Sequence, residues 1–475
     1  MCLIFRKGIN QGALIIFFSV FCIMYVSTSL KRHSIFGTMQ FSNPMGRVGS
    51  AGMAGMDVDS NTGFSFHGDK IREFTGITQF SGKHLNGSEF PRKPSSRNRS
   101  IATQCRYWAV MTSIFSASDA AVRILEMTER WCLVIVADTK TPKNYLSDNR
   151  FKRNYSQSLL FFLTVQEQML WEKKSDIGAF IREIPLRHFG RKNIGFLYAI
   201  YYGAEYIFDF DDDNIIKLDS KLMPMSIVPA PEEFEDKVAV LSWERSLVLN
   251  PYPVMQSSVS NSWPRGFPLD LVMNSTAQEN TYQNDTVTLR DIAIIQYLAD
   301  KNPDVDAIHR LTKYLPMIFT PQIKYLVIPE HNFIPYNAQA TLHTKPAFWA
   351  LLLPVTVPGR VSDIWRSYFS QVIFPLIGLK VVVGPPNVIQ ERNPHNILAD
   401  MHAEQDLYFK AGRLVEFLHN WVESLDKKPG IPEIIEKLWI SLFERGYVEY
   451  HDIILLQKWI KALIACEYSF PDIIN

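Results

Sequence analysis

The sequence predicts an α/β fold whose central sheet is mainly parallel and flanked by helices. Strand and helix patterns alternate between residues 107 and 210, which is the arrangement that builds parallel β-α-β units. The pattern at 131–138 is apolar almost throughout, as expected for a strand that is buried on both faces. Polar residues follow the ends of the predicted strands, which is where ligands bind in sheets of this kind.

The elements follow one another in a regular order. Apolar runs predict strands at 107–114, 131–138, 158–163 and 206–210. Helical spacing of apolar residues predicts helices at 120–130, 166–171 and 193–203. Two later amphipathic runs, 414–421 and 434–440, predict a small helical cap over 414–475.

Three of the predicted strands end in polar groups. These groups are Thr112 with Ser113, the turn that runs from Asp138 to Lys140, and the acidic residues that begin at Asp209. Because the carboxyl ends of parallel strands meet at one edge of a sheet, we expect the three groups to converge on one crevice. The sequence therefore predicts a nucleotide site at this edge.

The acidic residues after the last of these strands are Asp209, Asp211, Asp212 and Asp213. Four like charges repel one another unless a cation or hydrogen-bond donors compensate them. Oxygen ligands suit Mn²⁺ or Mg²⁺, and Mg²⁺ commonly binds through one or two carboxylates together with substrate phosphates. We expect Asp211 and Asp213 to bind the metal, with Asp209 as a further ligand or a cap of the strand end. A solvated acidic loop or a helix cap is the alternative.

Composition excludes some classes of function. The chain has 475 residues with 49 basic and 48 acidic side chains, a formal net charge of +1. This balance gives no reason to expect a nucleic acid partner. Hydrophobic residues make up 47% of the chain and aromatic residues 13%, which is typical of a globular protein with a large core.

The N-terminus carries an apolar run over 9–30, close to the roughly 20 residues that a membrane-spanning helix needs. We expect an uncleaved signal anchor with a short cytoplasmic tail at 1–8, and a cleaved signal peptide is the alternative. Residues 31–100 are rich in Gly, Ser, Met and Asn without a sustained period, which predicts a flexible stem. The predicted topology is a single-pass type II membrane protein with its body in the lumen.

Two further patterns fit a luminal body. Acceptor triplets for N-glycosylation begin at Asn86, Asn98, Asn154, Asn274 and Asn284. Cys105 and Cys132, which lie before and within two consecutive predicted strands, form the expected disulfide among the three cysteines that follow the anchor. Buried free thiols are the alternative.

Seven segments carry a resemblance to a known family. They are WCLVIVADTKTP at 131–142, RKNIGFLYAI at 191–200, the acidic stretch 209–213, NPY at 250–252, WPRGFPL at 263–269, PDVDA at 303–307 and LLLPVTVPGRVSDIWR at 351–366. Through them the chain resembles, over about residues 101–420, the STELLO-like proteins, Golgi glycosyltransferases with one N-terminal membrane anchor. The segments at 263–269 and 303–307 are also similar, more distantly, to reversibly glycosylated polypeptides, which act on UDP-sugars.

The resemblance implies a GT-A-like, that is Rossmann-like, domain over 101–413 in the Golgi membrane. Its implied activity is transfer of a sugar from a nucleotide-sugar donor, with a UDP-sugar as first candidate, to a glycan, glycoprotein or lipid acceptor. The implied cofactor is Mn²⁺ or Mg²⁺. Two alternatives stay open. One is a catalytically inactive scaffold that binds other Golgi enzymes, and the other is a nucleotidyltransferase or nucleotide-sugar hydrolase.

Candidate site residues follow from these patterns. The donor candidates are Thr112, Asp138, Lys140, Arg191, Lys192, Asp212 and Arg265. Plain turn or helix-start roles are the alternatives for Asp138, Arg191 and Lys192. An inverting transfer needs a general base, for which Asp363 is the first candidate and Asp304 and Asp306 are rivals. An N-cap of a helix beginning at Ile364 is the alternative for Asp363.

Overall fold

The fold is described by a computed structural model for residues 105–152, 158–172, 176–231, 234, 238–241, 246–274, 282–284, 287–425 and 429–474. The predicted tail, anchor and stem at 1–100 lie outside these residues, as do the acceptor triplets at Asn86, Asn98 and Asn154. Among the residues that are described, none of the helices has both the length and the apolar character needed to cross a membrane.

One eleven-stranded sheet organises the described residues. Its strands are β1 (Tyr107–Ser113), β2 (Trp131–Ala137), β3 (Leu159–Leu163), β4 (Tyr206–Phe210), β5 (Asn214–Ile216), β6 (Val238–Leu241), β7 (Tyr282–Asn284), β8 (Ile292–Lys301), β9 (Tyr325–Ile328), β10 (Ala340–Thr344) and β11 (Lys380–Gln390). Their order is β3-β2-β1-β4-β10-β8-β11-β9-β6-β7, and β5 pairs with β11 off this path.

Helices cover both the early and the late parts of the described chain. They are α1 (Asp119–Leu125), α2 (Val165–Trp171), α3 (Asp176–Arg182), α4 (Lys192–Tyr201), α5 (Pro251–Val254), α6 (Ala307–Thr312), α7 (Gly359–Gln371), α8 (Ile397–Ala403), α9 (Gln405–Glu423), α10 (Ile431–Glu444) and α11 (Tyr450–Ala465). Short 3-10 helices lie at 145–147, 149–152, 189–191, 269–274, 289–291, 345–351 and 374–377.

The first half of the sheet confirms the predicted parallel arrangement. β1 runs parallel to β2 and β4, and β2 runs parallel to β3. Beyond β4 the expectation of a mainly parallel sheet is wrong. β10 lies antiparallel between β4 and β8, and β11 lies parallel to β8 but antiparallel to β9. The fold class is therefore a mixed α/β sheet, because later strands join the edge of the parallel unit in both directions.

Close packing brings α4 against the parallel strands. Gly195 has no side chain, and a Cβ there would lie 2.5 Å from Val110 of β1 and 2.7 Å from Val136 of β2. The absence of that side chain lets α4 approach the sheet closely. Lys192 lies one turn before Gly195 on the same face of the helix, and it is buried completely. The helix therefore carries a cation beneath the sheet at the acidic end of β4.

The C-terminal helices pack on the sheet unit as part of its core. α9 runs through the predicted boundary between 413 and 414, and α11 is an additional helix that the sequence patterns did not predict. The indole of Trp459 donates to the carbonyl of Trp349 at 3.0 Å, and Asp452 accepts from the amide of Val355 at 2.7 Å. Buried polar contacts of this kind fix the tail to the body.

Cys105 and Cys132 form a disulfide, as the sequence predicted. The bridge ties the residue that precedes β1 to the second residue of β2, and it closes a loop of 27 residues. Cys466, at the end of α11, is a free thiol whose pKa is raised by burial.

Candidate functional site

The acidic loop after β4 is fixed by pairing between β5 and the end of β11. Asn214 lies opposite Gln390 in this antiparallel pair, so Asp213 is brought next to the residues that follow β11. The amide of Glu391 donates to the carbonyl of Asp213 at 3.1 Å. Ser113, the last residue of β1, donates from its hydroxyl to Asp212 at 2.5 Å. The carboxyl ends of β1 and β4 thus meet, as the sequence predicted.

Asp209 is a buried structural carboxylate. It is completely buried, and its two oxygens lie 2.6 Å from Nζ of Lys192 and 2.9 Å from Nη1 of Arg366. Because Asp209 is completely buried and both of its oxygens contact buried cations, it is not accessible from the crevice. Asp209 is thereby taken out of the predicted set of metal ligands, and the role that remains for it is to fix the strand end and its two cations.

Lys192 lies between the buried and the accessible carboxylates. Its ammonium contacts Asp211 at 3.1 Å and donates to the carbonyl of Ala338 at 2.9 Å, in addition to its pair with Asp209. Burial lowers the pKa of Lys192, but Asp209 and Asp211 outweigh burial and raise it. Lys192 is therefore a fixed cation inside the acidic cluster, and its alternative as a solvated helix-start residue is wrong.

The three following carboxylates are undercompensated. Burial raises the pKa of Asp211 to about 7, and Asp213 and Asp209 add to this effect while Lys192 opposes it. The side chain of Asp211 retains 38% exposure, so solvent moderates the shift. Burial also raises the pKa values of Asp212 and Asp213. A cation that entered this loop would relieve repulsion and desolvation together.

No three acidic, histidine or cysteine side chains among the described residues are grouped as a ready metal cage. The predicted trio of Asp209, Asp211 and Asp213 therefore does not form one, because Lys192 and Arg366 hold Asp209. Two carboxylates, Asp211 and Asp213, still fit the usual Mg²⁺ arrangement, in which substrate phosphates and water complete the coordination. The site consequently fits a metal that arrives with a phosphorylated ligand.

The loop after β2 joins the same edge of the sheet. The hydroxyl of Thr141 donates to the carbonyl of Ser113 at 2.5 Å and accepts from the amide of Asp138 at 2.8 Å. The carboxylate of Asp138 accepts from the amides of Thr139 at 2.6 Å and His188 at 3.2 Å. These bonds make Asp138 a turn-stabilising residue at the crevice.

Thr112 and Lys140 occupy different surroundings from Asp138. Thr112 is half-buried and lies one residue before Ser113, so its side chain projects to the opposite face of the sheet. Ser113 rather than Thr112 is the β1 side chain that contacts the acidic loop. Lys140 is exposed on the loop after β2, where its side chain is free to reach a ligand.

Arg191 does not reach the crevice. Its side chain is 1% exposed, Nη1 donates to the carbonyl of Ile184 at 2.9 Å, and Nε donates to the amide oxygen of Gln168 at 3.1 Å. Gln168 in turn donates to the carbonyl of Ala137 at 2.8 Å. Arg191 therefore does not make the predicted contact with the nucleotide-sugar donor. Instead, its side chain ties α2 to the loop before α4 and to the end of β2.

Arg265 holds two of the three predicted catalytic carboxylates. Nε and Nη2 bond Asp304 at 2.8 Å each, while Nη1 and Nη2 bond Asp363 at 3.0 and 2.8 Å. Burial opposes the charge of Asp304, but Arg265 overrides it and lowers the pKa of that carboxyl. The guanidinium is 4% exposed and all its bonding capacity faces the protein. It is therefore a structural cation that is not available to phosphate.

The carboxylate of Asp363 accepts several hydrogen bonds at the same time. Besides Arg265, its oxygens accept from the amides of Ala338 at 3.1 Å and Ile364 at 3.0 Å. α7 begins at Gly359, so Asp363 lies inside the helix and is not its N-cap. A carboxylate this fully engaged and 3% exposed has no free lone pair for an acceptor hydroxyl.

Asp306 is the N-cap of α6. It accepts from the amide of His309 at 2.8 Å and from the indole of Trp263 at 2.6 Å. Burial raises the pKa of Asp306 to about 6, a value that suits a general base, but the side chain is 1% exposed. Both oxygens are occupied, so the cap role is the one that the geometry supports.

Asp304 alone of the three candidates lines a narrow cleft, whose free volume of about 20 Å³ is enough for about one water molecule. Side chains of Gln296, Asn337 and Gln339 also line this cleft, which lies beside the later part of β8. The carbonyl of Gln339 accepts from the amide of Asp211 at 3.3 Å, so the cleft adjoins the acidic loop. Because this volume is too small for a sugar, the cleft connects Asp304 with the acidic loop but does not hold an acceptor.

Two residues of the site were missed by sequence reasoning. Asn393 donates from its side chain to Asp212 at 3.2 Å, and Gln390 donates to Asp213 at 3.2 Å. Gln390 is the last residue of β11, and Asn393 comes three residues later. The sequence of β11 contains Gly384 and two prolines, so it does not predict an interior strand. The apolar run 381–383 is the signal that could have revealed the strand and the polar residues at its end.

Known proteins bear out the family resemblance. The model of the family "STELLO glycosyltransferases" matches residues 360–475, and so extends beyond the expected limit at about 420. The Arabidopsis thaliana protein "Probable glycosyltransferase STELLO2" is 26% identical over 77% of this chain and 46% of its own length. "Probable glycosyltransferase STELLO1" from the same plant is 25% identical over 84% of this chain and 49% of its own length. The chain is thus STELLO-like and spans about half the length of these relatives.

A solved structure also aligns with the chain, at lower similarity. Glucosyl-3-phosphoglycerate synthase from Mycobacterium tuberculosis, in complex with phosphoglyceric acid, is 8% identical, with a TM-score of 0.26. The alignment covers 68% of this chain and 83% of the synthase. A TM-score this low does not establish a shared fold.

Proposed function

We propose that this chain is a metal-dependent glycosyltransferase of GT-A-like architecture that transfers a sugar from a nucleotide-sugar donor. The observation that carries the proposal is the crevice in which the ends of β1, β2 and β4 meet around Asp211, Asp212 and Asp213. Undercompensated carboxylates at the carboxyl edge of parallel strands suit a cation and the phosphates that it binds. The names of the STELLO relatives support the same class of reaction.

Each part of the donor has a place in this proposal. Asp211 and Asp213 would hold Mn²⁺ or Mg²⁺, and the metal would supply positive charge for the donor diphosphate. Asp138 and Lys140 border the position of the nucleoside, and Asp212 faces the ribose or the sugar. Lys192 keeps Asp209 and Asp211 in place with a fixed positive charge. Asp304, which lines the narrow cleft beside the acidic loop, is the carboxylate that we assign to the acceptor side of the site.

The proposed location is the Golgi lumen, with residues 9–30 as the anchor of a single-pass type II membrane protein. The Cys105–Cys132 disulfide supports it, because such bonds persist in oxidising compartments. The asparagines of two acceptor triplets lie within the described residues, Asn274 at the end of a 3-10 helix and Asn284 at the end of β7. Glycosylation at either one would report exposure to the lumen.

The test is a turnover assay of the full-length protein in mild detergent. A set of UDP- and GDP-sugars is supplied with Mn²⁺ or with EDTA, and release of the free nucleotide is measured. We expect release from one donor that requires the metal, and a loss of at least about a hundredfold in Asp213→Asn, as is typical when a group that stabilises transition-state charge is removed.

The matched control is Asp472→Asn, an exposed residue close to the C-terminus, which should retain full turnover. Metal-independent release that survives Asp213→Asn would reject the proposed site. A folded protein without turnover on any donor would favour the inactive scaffold.

A further inference from the structure

Three arginines from separate parts of the chain lie around Asp304. Arg310, on α6, donates from Nη2 to the carbonyl of Pro303 at 3.0 Å, one residue before Asp304. The carbonyl of Arg360, on α7, accepts from the guanidinium that holds Asp304. Arg392 follows the end of β11 by two residues and is close enough to Arg310 to lower its pKa. We call these three residues the arginine cluster.

Two members of the arginine cluster are paired with neighbouring acids. Nη2 of Arg392 lies 2.6 Å from Asp400, and Nε of Arg360 lies 2.8 Å from Glu404. The amide of Glu404 donates to the carbonyl of Asp400 at 2.9 Å, so the two acids are one helical turn apart. The acid partners of the two guanidinium groups are therefore neighbours in the chain, and each guanidinium has further N–H donors.

Among the described residues, Arg310 is the cluster member without a direct salt bridge, although Asp304 lies near enough to offset part of its charge. Within the described part of the chain its hydrogen bonds go to neutral oxygens, the side chain of Asn302 at 3.3 Å and the carbonyl of Pro303. Its Nε is buried without a partner. Burial lowers the pKa of Arg310 to about 10, and Arg392 and Arg360 add to the effect while Asp304 opposes it. A half-buried cation in these surroundings attracts an anion.

The arginine cluster lies on the acceptor side of the proposed donor site. Asn393, next to Arg392, bonds Asp212, so the cluster borders the acidic loop at one end and Asp304 at the other. Ser113 and Asp138, at the proposed nucleoside position, belong to β1 and to the loop after β2. In the sheet, β1 and β2 lie on the opposite side of β4 from β8 and β11.

We propose that Arg310, Arg360 and Arg392 bind an oxyanion, a phosphate or a carboxylate, carried by the acceptor. This assignment rests on the proposed glycosyl transfer and names the class of acceptor. Guanidinium groups bind both anions through paired, charge-assisted hydrogen bonds, and the N–H donors of two of the three are already oriented by Asp400 and Glu404. Arg310 contributes a positive charge that has no salt-bridge partner among the described residues.

The test is calorimetric titration of the full-length protein in mild detergent, at constant ionic strength, with inorganic phosphate and with malonate. The variant is Arg310→Gln, because Arg310 forms no direct salt bridge among the described residues and its removal leaves Asp304 paired with Arg265. The control is Arg413→Gln, an exposed residue on α9. Loss of one charge-assisted contact should weaken anion binding about tenfold in Arg310→Gln and leave Arg413→Gln unchanged.

A second arm separates the acceptor from the donor as the source of the anion. UDP with Mn²⁺ is titrated into each protein, and phosphate is titrated again in the presence of saturating UDP and Mn²⁺. The proposal expects unchanged UDP affinity in Arg310→Gln and simultaneous binding of phosphate and nucleotide. Competition between phosphate and UDP, or a tenfold loss of UDP affinity in Arg310→Gln, would assign the arginines to the donor and overturn the proposal.

If the protein does not bind a nucleotide-sugar donor, the titrations give a different set of results. A wild-type protein that binds phosphate through Arg310 but never binds a nucleotide would keep the anion site and reject the glycosyltransferase. Equal affinities of wild type and Arg310→Gln for both anions, or no anion binding by the wild type, would reject the arginine cluster as a site. Neither result affects nucleotide binding at Asp213.

Discussion

Replacement of Arg265 by methionine is expected to destabilise the protein strongly without removing a ligand contact. The guanidinium makes four hydrogen bonds to carboxylates, two to Asp304 and two to Asp363, which are 8% and 3% exposed. Loss of one partner from a buried ion pair costs about 3–5 kcal/mol, and Arg265 serves two carboxylates. We therefore expect the free energy of unfolding to fall by about 5 kcal/mol, the upper end of that range.

The size of this loss should depend on pH. Arg265 lowers the pKa of Asp304 below its ordinary value of 3.8, despite burial. A carboxyl whose folded pKa is lowered contributes stability above its unfolded pKa, and this contribution disappears as the pH falls through the folded value. The difference between wild type and Arg265→Met should thus be greatest at neutral pH and shrink below about pH 4. Urea unfolding, followed by tryptophan fluorescence at several pH values, measures it.

Two further variants define the cause. Arg265→Lys keeps the charge but cannot bond two carboxylates with a planar fork, so an intermediate loss is expected. Arg413→Met, at an exposed position on α9, should change the free energy of unfolding by less than about 0.5 kcal/mol. The reasoning is refuted if Arg265→Met unfolds at the same urea concentration as the wild type while its nucleotide binding is lost.

Three other predictions follow from the packing and the charges. Gly195→Ala should lower the free energy of unfolding in urea by about 1–3 kcal/mol, because the added Cβ overlaps β1 and β2. The control Gly412→Ala, whose Cβ would have its nearest atom at 3.7 Å, should be neutral or stabilising. Equal effects of the two variants would contradict the packing argument. Cys132→Ser should lose about 3 kcal/mol by opening the 27-residue loop, and a melting temperature insensitive to reductant would contradict it. Burial raises the pKa of Asp211 to about 7, so the stability contributed by its protonated form is lost as the pH rises through 7. Asp211→Asn should modestly flatten the pH dependence of the melting temperature, because the side chain is partly exposed. A melting profile with the same pH dependence as the wild type would contradict this prediction.

The parallel half of the fold could be predicted because its signals are local. β1, β2 and β4 appear at their predicted positions, since each is an apolar run followed by polar residues. The antiparallel half could not be predicted in the same way. β11 contains Gly384 and two prolines, and the pairing of its residues shifts between Gly384 and Val388. An irregular strand of this kind carries no periodic pattern from which its place in the sheet can be read.

The candidate site shows the same division. The convergence of Asp212 with the end of β1 follows from strand topology, which alternating elements predict. The roles of single charges depend on partners that are distant in sequence. Arg265 lies 98 residues from Asp363, and Asp209 lies 157 residues from Arg366. Spacing along the chain gives no indication of such pairs, so a buried ion pair and a ligand contact look alike in the sequence.

Calorimetric titration of UDP and GDP into the full-length protein, with and without Mn²⁺, tests the central claim most directly. Wild type, Asp213→Asn and the exposed control Asp472→Asn are compared under the same conditions. The account predicts that one nucleotide binds only with Mn²⁺, that Asp213→Asn weakens this binding by at least about tenfold, and that Asp472→Asn leaves it unchanged. Nucleotide binding of equal strength in wild type and Asp213→Asn, or binding indifferent to Mn²⁺, would contradict it.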